Sequence, residues 1–135
     1  PAVAAAEAPR VLADMDVLAL PSLTRPNWME QFGRVLIEAM GCGVPVIGSD
    51  SGEIPRVIGD AGVIVPEGNV ESLRAALRDL TERPERRREL AERGRARVFA
   101  NFTQEQVARK LADVYKQALA TGAADSGAAR EASRG

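Results

Sequence analysis

Three short apolar runs punctuate the first half of the chain: Asp16-Val17-Leu18-Ala19-Leu20, Val44-Pro45-Val46-Ile47-Gly48 and Gly62-Val63-Ile64-Val65. Near-continuous runs of this length, bounded by polar or turn-forming residues, are the pattern of strands buried on both faces. Helical spacing fills the intervals between them. Strands that alternate with helices are joined by crossovers, so the pattern predicts an α/β layer built on a short parallel sheet. Pro45 is placed at the first residue of its strand, where a missing N–H disturbs the ladder least. The third run ends at Pro66 and the turn Glu67-Gly68-Asn69. A complete doubly wound nucleotide-binding sheet has about five or six strands and a glycine-rich first turn. Here there are three strands, and neither a G-x-G-x-x-G turn nor a P-loop is present.

The intervening segments read as loops and helices. Residues 9–15 form one or two helical turns with Val11, Leu12 and Met15 on one side. Residues 21–29 hold two prolines, Ser22, Thr24 and Asn27, all turn formers, at a strand's carboxyl end where α/β folds place ligands. A helix is predicted from about Phe32 to Met40, stopped by Gly41 and Gly43. Pro55 suits the first turn of a short helix ending at Val57 or Ile58. Asn69 can cap a helix whose Val70, Leu73, Leu77 and Leu80 recur at three- to four-residue spacing. Another helix is predicted from Pro84 to about Ala100, with Leu90, Val98 and Phe99 as its apolar contacts. Thr103-Gln104-Glu105-Gln106 matches a capping box, followed by a stripe of Val107, Leu111, Val114, Tyr115 and Ala118.

Composition bounds the function. The 135 residues suit one modest domain, and 45% hydrophobic content is ordinary for a globular core. Eighteen basic against nineteen acidic residues argue against a nucleic-acid partner held by bulk charge. With one cysteine and no histidine, Cys-based metal clusters, an intrachain disulfide and histidine general-base chemistry are excluded. No apolar run has the length of a membrane span, and a cytosolic setting is the default. Residues 1–8 read as a disordered or truncated lead-in, and residues 120–135 as a disordered tail of Ala, Gly, Ser and charge. A chain that starts at Pro1 without an initiator Met suggests a piece of a longer protein.

The chemistry concentrates between the first two strands. Glu30 and Glu38 bracket a predicted helix start, and eight helical residues would separate them by roughly 12 Å, about the span of a ribose, a diphosphate and a hexose. Gln31, Phe32, Gly33 and Arg34 lie between, and backbone N–H groups at a helix start are free donors at a positive dipole end. Such donors attract phosphate. The expected site therefore grips hydroxyls with two carboxylates and a diphosphate with backbone.

At this point the chain resembles a known family. Pro21-Ser22, Trp28-x-Glu30-x-Phe32-Gly33, Glu38-Ala39-Met40-x-x-Gly43-x-Pro45-Val46-Ile47 and Ser49-x-x-Gly52-x-Ile54-Pro55 resemble the retaining GT-B glycosyltransferases of family 4, the group-1 glycosyltransferases. Glu30 to Glu38 fits their E-x7-E motif. The resemblance covers residues 9–119 and implies the C-terminal part of a Rossmann-like donor-binding domain, with a helical C-terminal part. It implies that Glu30, as the catalytic acid of the motif, holds donor-sugar hydroxyls and that Glu38 holds the ribose. It assigns the backbone of Gln31, Phe32, Gly33 and Arg34 to the sugar and diphosphate. A nucleotide-diphosphate sugar is the implied donor, with no metal ion. The family's diphosphate-neutralising Arg and Lys and its acceptor-binding domain would precede Pro1, so these 135 residues alone are expected to be inactive. A different class, a non-catalytic remnant or interaction module keeping the fold, is the alternative.

Each feature also has a bland reading. An isolated glutamate is normally a solvated surface residue. Arg34 reads as a salt-bridging residue before a phosphate ligand, and Cys42 as a buried structural thiol. Trp28 either stacks on a ligand or packs the loop on the domain. The loop at 49–53 is either a second ligand wall or a helix start capped by Ser51. The seven arginines of residues 83–97 read as a solvated helix face, with contact to the inner face of a membrane as the minor reading. Missing strands would leave residues 16–20 as an unpaired edge and favour self-association.

Overall fold

A computed structural model of the chain describes residues 7–114, 116 and 117. Three strands, β1 (Leu18–Leu20), β2 (Val46–Ser49) and β3 (Val63–Val65), form one parallel sheet in chain order. Leu18 faces Val46 and Leu20 faces Gly48 across the first pair; Ile47 faces Val63 and Ser49 faces Val65 across the second. Among the described residues up to Asn101, five helices accompany them: α1 (Ala8–Ala13), α2 (Arg34–Gly41), α3 (Ile54–Ile58), α4 (Val70–Glu82) and α5 (Pro84–Asn101).

β2 is the axis of the fold, and all four of its residues are buried. Alternate residues of a strand face opposite sides, and here the two sides receive different helices. Ile47 joins Val65, Ala76, Leu80 and Leu90 in a cluster that draws in α4 and α5. Gly48 faces α3, where an added Cβ would lie 2.4 Å from Ile54 and 2.7 Å from Ile58. Leu36 and Met40 of α2 are fully buried as well. The sheet is thus covered on both faces, as parallel strands require.

The expected elements are present with shifted limits. β1 is shorter than residues 16–20 and only partly buried, with Ala19 exposed, because among the described residues it is an edge with β2 on one side only. Pro45 stands just before β2 and contributes its carbonyl to the Leu18 N–H at 3.0 Å, so its missing donor costs nothing. The Asn69 side chain caps α4 by accepting from the Ser72 N–H at 2.9 Å. Ser51 does not cap α3 with its side chain; the residue before that helix is Glu53, with no side-chain cap. On α4 the buried positions are Ala76 and Leu80, while Val70 and Leu77 are exposed. On α5 Leu90 and Gly94 are buried and Phe99 is exposed; Gly94 lets the helix approach Met40 to 3.1 Å of where its Cβ would be.

The described residues after Ala100 belong to a second compact unit. Residues 104–114 are helical, and the Thr103 hydroxyl accepts from the Gln106 N–H at 3.3 Å, as the capping pattern predicts. Val107, Leu111 and Val114 are each more than half exposed, so the expected stripe is not a core. Tyr115 and Ala118, most of the lead-in and the tail at 120–135 lie outside the described residues. Among the described residues no helix is long and apolar enough to cross a membrane.

The arginine-rich helix is more than a solvated face. Exposed pairs such as Arg93–Glu89 and Arg88–Glu85 are there. Two arginines instead close helix ends, where carbonyls lack partners. Arg87 donates to the carbonyls of Leu80 and Thr81 at the end of α4. Arg97 donates to Val57 O at 2.8 Å and Arg56 O at 2.7 Å, at the end of α3. Bonds from a charged donor contribute about 1.5–3 kcal/mol each. Arg97→Met, which keeps the aliphatic stem, is therefore expected to lower unfolding stability by roughly 2 kcal/mol or more. Urea denaturation checks this, and an unchanged midpoint would show that these bonds are solvent-equivalent.

Candidate functional site

The two acids sit on different kinds of structure. Glu38 is a helical residue within α2, whereas Glu30 lies four residues before it in the loop that leaves β1. The predicted helix start at Phe32 moves to Arg34 because Gly33 adopts a left-handed conformation, φ 59° and ψ 45°. Such a residue cannot continue a right-handed helix, and a side chain there is strained. A Cβ on Gly33 would also lie 2.9 Å from Leu36 Cδ1, so that side chain would have to shift to admit one. The Gly33 carbonyl accepts from the Leu36 N–H at 2.8 Å and so opens the helix.

The amides expected to be free are not free. Glu30 Oε1 accepts from the Gly33 N–H at 3.0 Å and, more weakly, from the Phe32 N–H at 3.4 Å. These amides belong to the turn that leads into α2, whose N-cap Gly33 has no side-chain cap, so the carboxylate ties that turn rather than capping the helix. Both bonds fall on the same oxygen, which orients the half-buried side chain. The structure thus joins Glu30, Phe32 and Gly33 into one unit. Gln31 is exposed between them.

Arg34 and Glu38 form a second unit. Arg34 Nε lies 2.9 Å from Glu38 Oε1, with the arginine side chain 86% exposed. An exposed pair at this spacing contributes about 0.3–0.5 kcal/mol, and the basic residue precedes the acid, the weaker order along a helix. It is easily opened. Arg34 accordingly takes the salt-bridging place expected of it.

The backbone of Glu30 is held from the opposite side. Its carbonyl accepts from the Glu53 N–H at 3.3 Å, and Gly52 is pressed so close that a Cβ would come within 2.0 Å of that oxygen. Further along the same loop, the Thr24 N–H and hydroxyl both donate to the Glu67 carboxylate, and the Thr24 and Ser51 hydroxyls are 2.8 Å apart. The Ser49 hydroxyl donates to Ser22 O at 2.7 Å. Spacing gives no sign of Thr24 or Glu67: each reads as an ordinary turn residue. Trp28 does not pack the loop down. It is 53% exposed and engages Arg25 through backbone bonds. Cys42 is half-buried rather than buried, with its thiol toward the Pro9 carbonyl at 3.7 Å.

Beside this loop, at the carboxyl ends of the strands, an apolar groove of about 290 Å³ is bordered by Pro21, Leu23, Val65, Pro66 and Val70. A larger depression of about 520 Å³ follows α5, far in sequence from both acids. Its arginines are engaged: Arg83 and Arg86 share Asp79, and Arg93 meets Glu89.

If Glu30 holds Gly33 in place, loss of its carboxylate releases two amides. Glu30→Ala is expected to speed hydrogen exchange at the Phe32 and Gly33 amides by about tenfold, a single lost bond of about 1.4 kcal/mol. Amides of β2 should be unaffected. Equal exchange in both proteins would mean that the carboxylate does not hold this turn.

Residues 2–97 match the family described as glycosyl transferases group 1. The chain is 34% identical over 117 residues to the MMP alpha-(1->4)-mannosyltransferase of Mycolicibacterium hassiacum, covering 84% of this chain and 27% of that protein. The sucrose-phosphate synthase structure from Thermosynechococcus elongatus superposes with a TM-score of 0.68 and 33% identity, over 82% of this chain and 27% of that one. Anabaena Alr3699/HepE in complex with UDP shares the fold, with a TM-score of 0.71 and 23% identity over 80% of this chain and 29% of that one. The chain therefore spans just over a quarter of the length of these proteins. With its parallel sheet and GT-B-like α/β architecture, it belongs to the group-1 glycosyltransferase family.

Proposed function

We propose that residues 9–119 are the C-terminal part of a nucleotide-sugar donor-binding domain in a longer, retaining hexosyltransferase. The observation that carries this is the Glu30 carboxylate anchored on the Phe32 and Gly33 amides at the start of α2, with Glu38 on the same helix, inside the region that matches the family. On this reading Glu30 is the catalytic acid of the site and takes donor-sugar hydroxyls, and Glu38 takes the ribose hydroxyls. The backbone of Gln31, Phe32, Gly33 and Arg34 meets the sugar and diphosphate. UDP held by a protein of the same fold supports a nucleotide as the ligand.

The reaction breaks the bond between the anomeric carbon and the diphosphate oxygen and forms one to an acceptor hydroxyl oxygen, whose proton passes to the leaving diphosphate. The leaving diphosphate carries the negative charge, and fixed positive groups at that position are a principal catalytic contribution. Arg34 is the one cation of the proposed set. The acceptor-binding domain and the further cations are assigned to the preceding part of the longer chain, and no metal ion is required. The 135 residues alone should then show no sugar transfer.

A screen of UDP- and GDP-hexoses against the full-length protein tests the reading. Transfer is expected with one donor class, and Glu30→Ala and Glu38→Ala should each lower it by about a hundredfold or more, in the range for loss of a transition-state contact. If either variant transfers normally, that acid's role is wrong. Transfer by the isolated 135 residues would overturn the division of the site. If no nucleotide sugar binds, the fold serves as a non-catalytic module.

A further inference from the structure

The loop that presents Glu30 has little burial to hold it. Between β1 and α2 its only regular feature is one backbone bridge, Arg25 with Trp28, and Leu23, Trp28, Met29 and Phe32 are all about half exposed. Hydrogen bonds must therefore set its course. The densest of them lead to a single side chain, Glu67, in the turn after β3.

Glu67 receives Thr24 twice. One carboxylate oxygen accepts the Thr24 N–H, and the other accepts the Thr24 hydroxyl at 2.9 Å. Because that hydroxyl donates to the carboxylate, its oxygen is left to accept from Ser51, whose hydroxyl is 2.8 Å away and whose side chain is 1% exposed. The result is a directed chain, Ser51 to Thr24 to Glu67, ending on a negative charge. Such chains strengthen along their length. Glu67 is itself fixed, since its N–H donates to Asp50 Oδ1 at 2.6 Å. The same 49–53 loop that carries Asp50 and Ser51 also supplies the Glu53 N–H to the Glu30 carbonyl. Thr24 and Glu30 are thus tied to one frame at two points.

We propose that Glu67 is a positioning residue: through Thr24 it holds the loop in the course that sets the Glu30 carboxylate on the Phe32 and Gly33 amides. The inference rests on the donor-site reading for its functional consequence, but its structural content does not. A loop that is correctly placed for only a fraction of the time weakens apparent ligand affinity by that fraction. Glu67 need not touch the donor to do this.

The test has two arms. In the 135-residue chain, hydrogen exchange is followed for Glu67→Gln, Thr24→Val and Thr24→Ser. The first two should speed exchange at Phe32 and Gly33 by about tenfold while Ile47 in β2 is unchanged, and Thr24→Ser, which keeps the hydroxyl, should restore protection. A double variant of Glu67→Gln and Thr24→Val should be no worse than either alone, because the two act as one unit. Uniformly faster exchange across the sheet would show a merely structural role and overturn the proposal, as would unchanged exchange at Phe32 and Gly33. In the full-length protein, Glu67→Gln should raise the donor KM about tenfold with kcat nearly unchanged. A normal KM beside a damaged Glu30→Ala variant would sink the positioning role alone. A silent Glu30→Ala variant, with the exchange results intact, would instead sink the donor-site reading.

Discussion

One side chain, Ile54, joins the core to the site. It is fully buried at the first turn of α3 and lies between two glycines from different parts of the chain. On one side is Gly48 of the central strand, where an added Cβ would come within 2.4 Å of Ile54 Cγ2. On the other is Gly33, the left-handed residue before α2, at 3.7 Å from Cβ position to Ile54 Cγ1. Interiors packed to crystal density transmit such contacts as fixed distances. The start of α3 is therefore set by the sheet, and the turn before α2 lies beside it. The Glu53 N–H, next to Ile54, then reaches the Glu30 carbonyl from a position the core has determined.

This arrangement explains why a loop with exposed apolar side chains can still present a carboxylate in one orientation. Its precision comes from polar ties to loops at the carboxyl ends of β2 and β3, not from burial of its own residues. Hydrogen bonds to charged acceptors are the stronger kind, and several act on this loop at once. The same economy appears where Arg97 and Arg87 close the carboxyl ends of α3 and α4 from a helix that buries only Leu90 and Gly94 of its residues.

What could be read in the sequence follows from how local each signal is. The parallel α/β arrangement was legible because apolar runs and turn residues report strand and helix directly, and Asn69 and Pro45 stand where their own chemistry puts them. The edge at residues 16–20 followed from the small number of strands, but the exposure of Ala19 did not, because burial depends on neighbours: Ala19 belongs to an apolar run and has no strand beyond it among the described residues. Phe99, Val107 and Leu111 show the same gap between apolar pattern and actual contact. At the site, the two acids and the glycine between them stood out by spacing. The bonds from Phe32 and Gly33 to Glu30 did not, since they depend on the left-handed turn at Gly33 that places three atoms together. Thr24 with Glu67, 43 residues apart, carries no local mark at all.

The bonds from Phe32 and Gly33 to Glu30 have a consequence for the proposed donor site. On the donor-site reading, a phosphate oxygen that reaches either amide shares its N–H with Glu30 Oε1 as a three-centre bond, so the carboxylate stays in place. Carboxylate and phosphate then face one another as like charges. Donor-sugar hydroxyls that donate to the carboxylate offset this repulsion, because bonds to a charged acceptor are the stronger kind. A phosphate without a sugar offers no such hydroxyls. On the donor-site reading, Glu30 thereby favours the complete nucleotide sugar over its nucleotide product, before any contact made by Glu38 is counted.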